Sequence, residues 1–422
     1  MKRYRLPFLL VSLLFLVWGM ANNMNDTLLA AFKRIMSMSD VQTSLVQFSF
    51  YGAYFCFALP AALFIRRYSY KSGILLGLAM YAAGTMLFYP AGQAASYAFY
   101  LFAIYIMAAG CAVLETTANP YILSMGPQET ATRRLNIAQT FNPVGAICGI
   151  LISRHFILGE LNAADAAERS GMDADALRAV QMHELDAVSG TYMLIGFGLL
   201  VLLVVIALVR MPGDRDRSAS SGVAECFRRL WGIRRYRYGV VAQFFYVGVQ
   251  TCVWSFNIRL AMHELGLAEK SASTVFLLSI LGFTFFRFVF TWLMKYIAPV
   301  RLLAAASASA LVLTLVVMGA SGMAAIVALV LISAAMSLMF PTIYGIALDG
   351  IAPEDAKIAA SGLIMAILGG ALLTPLQAWV SDAAGISVSF AVSALCFVVI
   401  LLYSLGILKS DAEKHSDAGK HS

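Results

Sequence analysis

Two carboxylates stand inside long apolar runs: Asp26, within Ala21-Asn22-Asn23-Met24-Asn25-Asp26, and Glu115, within Val113-Leu114-Glu115-Thr116-Thr117-Ala118-Asn119-Pro120. An ionisable group near the centre of a membrane helix costs roughly 2.5 to 3.5 kcal/mol, which makes it a functional candidate by default. No basic loop lies beside either acid. On a helix, Trp18, Asn22 and Asp26 fall at i, i+4 and i+8 and form one polar, aromatic stripe; Glu115 and Asn119 share a face in the same way. Pro120 frees the backbone carbonyl one turn earlier, which is tolerated where the helix lines a wet cavity. Gln243, Gln250 and Asn257 recur at intervals of seven and stay within a narrow sector, with Trp254 joining that face four residues after Gln250. Gln139 and Asn142 are three apart and again neighbours. Amides that donate and accept, beside rings that cover C–H surface, suit a polyol with hydroxyl edges and an apolar face.

Two acids that can be neutralised add proton chemistry, because low dielectric penalises the charged form of a carboxyl group. At about 2.3 kcal/mol per charge per 100 mV and about 1.4 kcal/mol per tenfold gradient, one proton crossing about 150 mV drives accumulation on the order of 300-fold. A single co-transported proton therefore suffices, with sodium coupling through several carbonyl or carboxylate oxygens as the alternative, and no cofactor or resident metal is expected. The six cysteines lie singly, without disulfide or metal-ligand spacing. Paired histidines with carboxylates, as a membrane-embedded enzyme needs, are missing. Arg287 and Arg259 read as structural or snorkelling groups, and His155 and His263 as interfacial.

The elements that must carry these residues follow from composition. With 60% apolar and 13% charged residues and a mean hydropathy of +0.79, the chain is far from the roughly 25% charge of a soluble domain. A hydrocarbon core about 30 Å thick takes about 20 apolar residues per helix. Twelve spans fit, near 7–31, 41–65, 72–92, 96–124, 135–158, 188–210, 236–262, 271–295, 300–320, 323–348, 357–381 and 386–408. The expected fold is thus an all-α membrane protein of twelve transmembrane helices in two six-helix halves, 1–210 and 236–408. A basic central linker, 211–235, joins them, and a polar tail, 409–422, is expected to be disordered.

The net charge of +7 is not a nucleic-acid signature, since the basic residues sit in short connections rather than among aromatics on a solvated surface. The amino terminus, Arg66 with Arg67 and Lys71, Arg133 with Arg134, the linker, Lys295 with Arg301, and the tail all fall on one side, which the positive-inside rule makes cytoplasmic. Lys33 and Arg34 are the exception. Both termini are then cytoplasmic, and the acidic stretch from Glu160 to Asp186 faces outward as a long loop.

At these residues the chain resembles the major facilitator superfamily, and within it the fucose:proton symporter branch. The resembling segments are Trp18-Gly19-Met20-Ala21-Asn22-Asn23-Met24-Asn25-Asp26, Leu114-Glu115-Thr116-Thr117-Ala118-Asn119-Pro120 and Arg134-Leu135-Asn136-Ile137-Ala138-Gln139-Thr140-Phe141-Asn142, followed by Ala242-Gln243-Phe244, Val249-Gln250-Thr251, Phe340-Pro341-Thr342-Ile343, Thr374-Pro375 and Ser381-Asp382-Ala383-Ala384-Gly385. The resemblance implies an outward-facing amphipathic cavity between two six-helix halves. It also implies that Asp26 and Glu115 bind sugar and cycle protons, and that Asn142 lines the sugar pocket. Glucose and galactose permeases of the same family tend to carry Gln in place of Glu115, which favours L-fucose. The run Phe286-Arg287-Phe288-Val289-Phe290 departs from the small residues the family often shows. The expectation is a monomeric sugar:proton symporter of a bacterial inner membrane; a glucose/galactose permease and a non-transporting sugar sensor are the alternatives.

Overall fold

The computed structural model describes residues 5–36, 38, 40–162, 168–169, 171–212 and 222–420. Among them no strand occurs, as expected of a backbone that must satisfy its own hydrogen bonds in hydrocarbon. Twelve long helical segments follow one another: α1 Arg5–Ile35, α2 Asp40–Arg67, α3 Tyr70–Met86 continued by Phe88–Gln93, α4 Tyr97–Ser124, α5 Ala131–Gln139 continued by Phe141–Phe156, and α6 Ala174–Leu208. After a linker helix, Val223–Gly232, come α7 Arg234–Leu265, α8 Glu269–Leu293, α9 Pro299–Gly319, α10 Met323–Met336 continued by Met339–Leu348, α11 Pro353–Met365 continued by Gly369–Ala384, and α12 Ile386–Lys420. Eleven of these are long and apolar enough to cross a membrane, and α1 adds an apolar helical stretch, Arg5–Ala21. Large apolar side chains such as Phe197 and Leu208 on α6 and Phe285 and Trp292 on α8 are exposed, the surface a lipid-facing helix presents.

Three of the four interruptions have one cause. Pro90, Pro143 and Pro341 each sit third in the continuing segment. Lacking an N–H, each leaves the carbonyl four residues earlier, on Met86, Gln139 and Ser337, without its helical partner. Pro60, Pro120 and Pro375 are carried inside continuous segments.

Contacts gather the chain into two compact units, Met1–Tyr121 with Phe141–Ala219, and Ile122–Thr140 with Ser220–Ser422. Residues 122–140 thus gather with the second unit. Asn136 donates to Thr342 Oγ1 at 3.3 Å, and a Cβ on Gly345 would meet Thr132 Oγ1 at 2.6 Å, which ties the first part of α5 to α10. Within the first unit α1 packs along α5 and α3 along α6; within the second, α7 packs along α11 and α9 along α12. The same pairing recurs after a shift of six helices, the internal repeat that span counting alone suggests.

Small residues set these pairings, because lipid supplies no hydrophobic drive and close backbone approach must hold the helices. A Cβ on Gly145 would lie 1.8 Å from the Leu16 carbonyl oxygen, one on Gly19 2.0 Å from that of Asn142, and one on Gly149 2.7 Å from that of Met20. The α7–α11 crossing repeats the device: a Cβ on Gly369 would lie 2.0 Å from the Phe244 oxygen, and Gly248 abuts Leu373.

Two polar segments depart from expectation. The acidic stretch is helical from Ala174, because Asp173 caps the helix by accepting from the Asp175 N–H at 3.3 Å and acids in a first turn suit the helix dipole. Glu184, read as a loop charge, is fully buried against Arg169, which donates to it twice, once at 2.9 Å. It also accepts from the Asn162 N–H at 2.8 Å. Hydrogen bonding to Glu184 holds the Arg169 guanidinium above its ordinary range. The tail expected to be disordered continues α12 as far as Lys420.

Gly145→Ala is expected to destabilise the protein by about 1–3 kcal/mol through overpacking, read as a lower melting temperature in detergent. Gly190→Ala, whose Cβ meets nothing within 4 Å, should leave the melting temperature unchanged.

Candidate functional site

Glu115 sits in the second half of α4 at 3% exposure. Neither carboxylate oxygen has a hydrogen-bond partner, and no cation pairs with it among the described residues. Asn119, one turn on, turns its amide back to donate to the Glu115 backbone carbonyl at 3.0 Å, and Thr117 Oγ1 donates to the Val113 carbonyl at 2.6 Å. The Asn119 side chain also lies near enough to the Glu115 carboxyl to interact with it, so one neutral amide on its own helix is the acid's polar company. A buried carboxylate without a cation is costly, so it is poorly suited to holding a fold.

Its neighbours come from α1 and α2. Tyr54, fully buried on α2, lies near enough to Glu115 and Cys111 to interact electrostatically with both. The Trp18 indole N–H donates to the Tyr54 hydroxyl, and Tyr81 on α3 donates to the Val17 carbonyl at 3.2 Å. Trp18, predicted from the α1 stripe, is therefore linked through Tyr54 to Glu115. The backbones of Asn22 and Asp26 continue the same helix; their side chains lie outside the described residues. Asn142 is half-buried where α5 crosses α1, and its amide donates to the Phe15 carbonyl at 3.5 Å. Gln139, expected beside it, lies on the other side of the break at Thr140, is buried, and belongs to the second unit.

The α7 stripe divides by environment. Gln243 and Asn257 are fully buried, whereas Gln250 and Trp254 are half-buried. Asn257 donates to Ser279 on α8 at 2.9 Å, a helix-bridging contact. Neither end of the Gln243 amide has a partner. Trp254 meets Phe283 edge-on at 5.2 Å and Phe276 at 6.4 Å, and its indole N–H is buried without an acceptor. Arg287 does not snorkel: it is 3% exposed, with its guanidinium 5.0 Å from the centre of the Phe283 ring and Nε and Nη1 unpartnered. The aromatic face holds it in the interior. Arg259 is exposed and lies over Phe256 at 5.5 Å.

Tyr54 and Phe283 are the residues that sequence reasoning missed. The signal for Tyr54 was the spacing of four between Phe50 and Tyr54, whose rings lie 5.4 Å apart, but an aromatic pair in an apolar helix reads equally as packing.

Comparison with known proteins follows this geometry. A family model described as Major Facilitator Superfamily matches residues 8–367. An L-fucose-proton symporter of Haemophilus influenzae is 39% identical over 416 residues, covering 95% of this chain and 96% of that protein. The crystal structure of the E. coli fucose:proton symporter is similar with a TM-score of 0.88 at 36% identity, covering 95% of this chain and 98% of that one. A glucose/galactose transporter of Brucella abortus is 32% identical over 408 residues, covering 96% of this chain and 94% of that protein.

The Trp18–Tyr54 link is testable by a double-mutant cycle with Trp18→Phe and Tyr54→Phe. A coupling of about 1 kcal/mol in unfolding stability is expected for one hydrogen bond; strictly additive losses would show that the two side chains do not interact.

Proposed function

This chain belongs to the Major Facilitator Superfamily, and from that premise we propose that it is a proton-coupled symporter importing L-fucose by alternating access. The observation that carries the reading is Glu115, a buried acid with no cation paired to it among the described residues, beside an aromatic pair. The Haemophilus influenzae and E. coli relatives that the chain resembles at 39% and 36% identity are fucose–proton symporters. The glucose/galactose transporter is more distant at 32%, so a glucose or galactose substrate is the second reading. A sugar sensor that binds without transporting is the alternative outside transport.

In this reading Glu115 takes up a proton when external pH falls, and its neutral form removes the cost of a buried charge, which licenses the change of access. Asp26 is the second acid, binding sugar and proton together. Trp18, Asn22, Asn119 and Asn142 are the candidate sugar contacts of the first unit. Gln139, Gln243, Gln250, Trp254 and Asn257 are those of the second unit, where the two orphaned ends of Gln243 and the Trp254 indole N–H are groups a sugar hydroxyl could complete. Trp18 and Trp254 supply ring faces for sugar C–H surface. The protein works as a monomer in a bacterial inner membrane with both termini cytoplasmic, an orientation supported by the basic linker and the loops on its side.

Proteoliposomes under an imposed inward proton gradient should accumulate labelled L-fucose in preference to galactose and glucose. Equal or greater uptake of glucose would transfer the reading to the second substrate class, and no gradient-driven uptake of any hexose would reject symport. Glu115→Gln should keep sugar counterflow but reduce gradient-driven accumulation to the equilibrium level. A variant that still concentrated sugar would remove Glu115 from the coupling step.

A further inference from the structure

On the surface of the second unit a groove of about 710 Å³ runs between α7 and α12. At one end it is lined by Arg234 and Arg235 from the start of α7 and by Lys409, Asp411 and Glu413 from α12. At the other it is lined by Val241 on α7 and by Val399 and Leu402 on α12. Arg234 precedes Val241 by seven residues and Leu402 precedes Lys409 by seven, so at 1.5 Å per residue each helix sets a cation about 10 Å along its axis from an apolar side chain. Leu402 is 62% exposed and Val241 41%. A charged end and an apolar end at that separation, on the outside of a membrane bundle, match a phospholipid's headgroup and first chain segment. Tyr238, also lining the groove and exposed, adds the amphipathic ring characteristic of the interface.

The charges select among headgroups. Arg235 is occupied, donating to Asp349 at 2.9 Å and to Asp411 at 3.3 Å. Arg234 and Lys409 are exposed, and neither is in an ion pair among the described residues. Glu413 is likewise exposed and unpaired among them, and Asp411 has only its long contact with Arg235. A purely anionic headgroup would gain the two cations but meet the two carboxylates. A zwitterion with an anionic phosphate and an N–H-bearing cation satisfies both sets. A quaternary ammonium headgroup carries no N–H to donate.

We propose that this groove is a binding site for an aminophospholipid of the phosphatidylethanolamine class, its phosphate held by Arg234 and Lys409, its primary ammonium by Glu413 and Asp411, and an acyl chain lying along Val241 and Leu402. With the orientation proposed above the headgroup belongs to the cytoplasmic leaflet, but the site itself depends neither on orientation nor on the sugar carried.

The purified full-length protein, delipidated in detergent and titrated with phosphatidylethanolamine, phosphatidylcholine or phosphatidylglycerol of matched chains, tests this by native mass spectrometry. Phosphatidylethanolamine should be retained best. The double variant R234Q/K409Q should lower its retention about tenfold, the loss expected for charge-assisted phosphate contacts at a partly exposed site. Glu413→Lys should reverse the preference toward phosphatidylglycerol. All of these side chains are exposed, so the variants should fold, which an unchanged melting temperature would verify. Equal retention of phosphatidylethanolamine and phosphatidylcholine by the wild type, or undiminished phosphatidylethanolamine binding by R234Q/K409Q, would overturn the proposal.

Discussion

In hydrocarbon a backbone N–H or carbonyl without a partner costs several kcal/mol, and water is not there to supply one. That constraint makes every long described element a helix, and three of the four interruptions fall where a proline forces them. Pro90, Pro143 and Pro341 break helices that would otherwise run on. Because lipid tails are as apolar as leucine, the helices then need another reason to associate. Glycines at the α1–α5 and α7–α11 crossings provide it by letting one backbone reach the carbonyl oxygens of the next. Recurrence of this device six helices later shows that the two units are built to one plan.

Against that background the distribution of satisfied and orphaned polar groups is informative. Several charges toward the helix ends are bonded: Arg169 to Glu184, Arg229 to Asp355 at 2.7 Å, and Glu264 to the Gly322 N–H at 2.8 Å. Some polar groups nearer the middle of their helices are not: Gln243, the Trp254 indole and part of Arg287 are buried without hydrogen bonds, and Glu115 is buried without a cation among the described residues. Native interiors satisfy most such atoms, so orphans of this kind point to chemistry completed by something that comes and goes. A proton on Glu115 and hydroxyl groups of a bound sugar are the species that the proposed function supplies. The Arg287 guanidinium, held over Phe283, belongs to the same set in the second unit, and its burial shows that the departure from small residues around it is accommodated by an aromatic cradle.

Much of this was written locally in the chain. Composition and apolar run length announced the membrane and about twelve spans. The basic linker marked a division near the middle, and Glu115 was conspicuous because a carboxylate in an apolar run has few other reasons to be there. The Trp18 stripe was legible too, since i, i+4 spacing depends only on helix geometry. Less was legible wherever one segment is stabilised by another. The early start of α6 at Ala174 depends on a cap and on Glu184 finding Arg169, and an acidic stretch looks like a loop until that partner is known.

What the sequence alone determined, then, is what periodicity and transfer free energy can determine: a helical membrane protein, its spans, and the acids and amides too polar to be there without purpose. The tertiary structure decided which of these meet. It joined Trp18 to Glu115 through Tyr54, a residue on another helix, and used Asn257 to bridge to α8. It also assigned the first part of α5 to the second unit, and kept Arg287 inside rather than at the interface. Those outcomes turn on distances between residues far apart in the chain, which side-chain spacing along one helix does not contain.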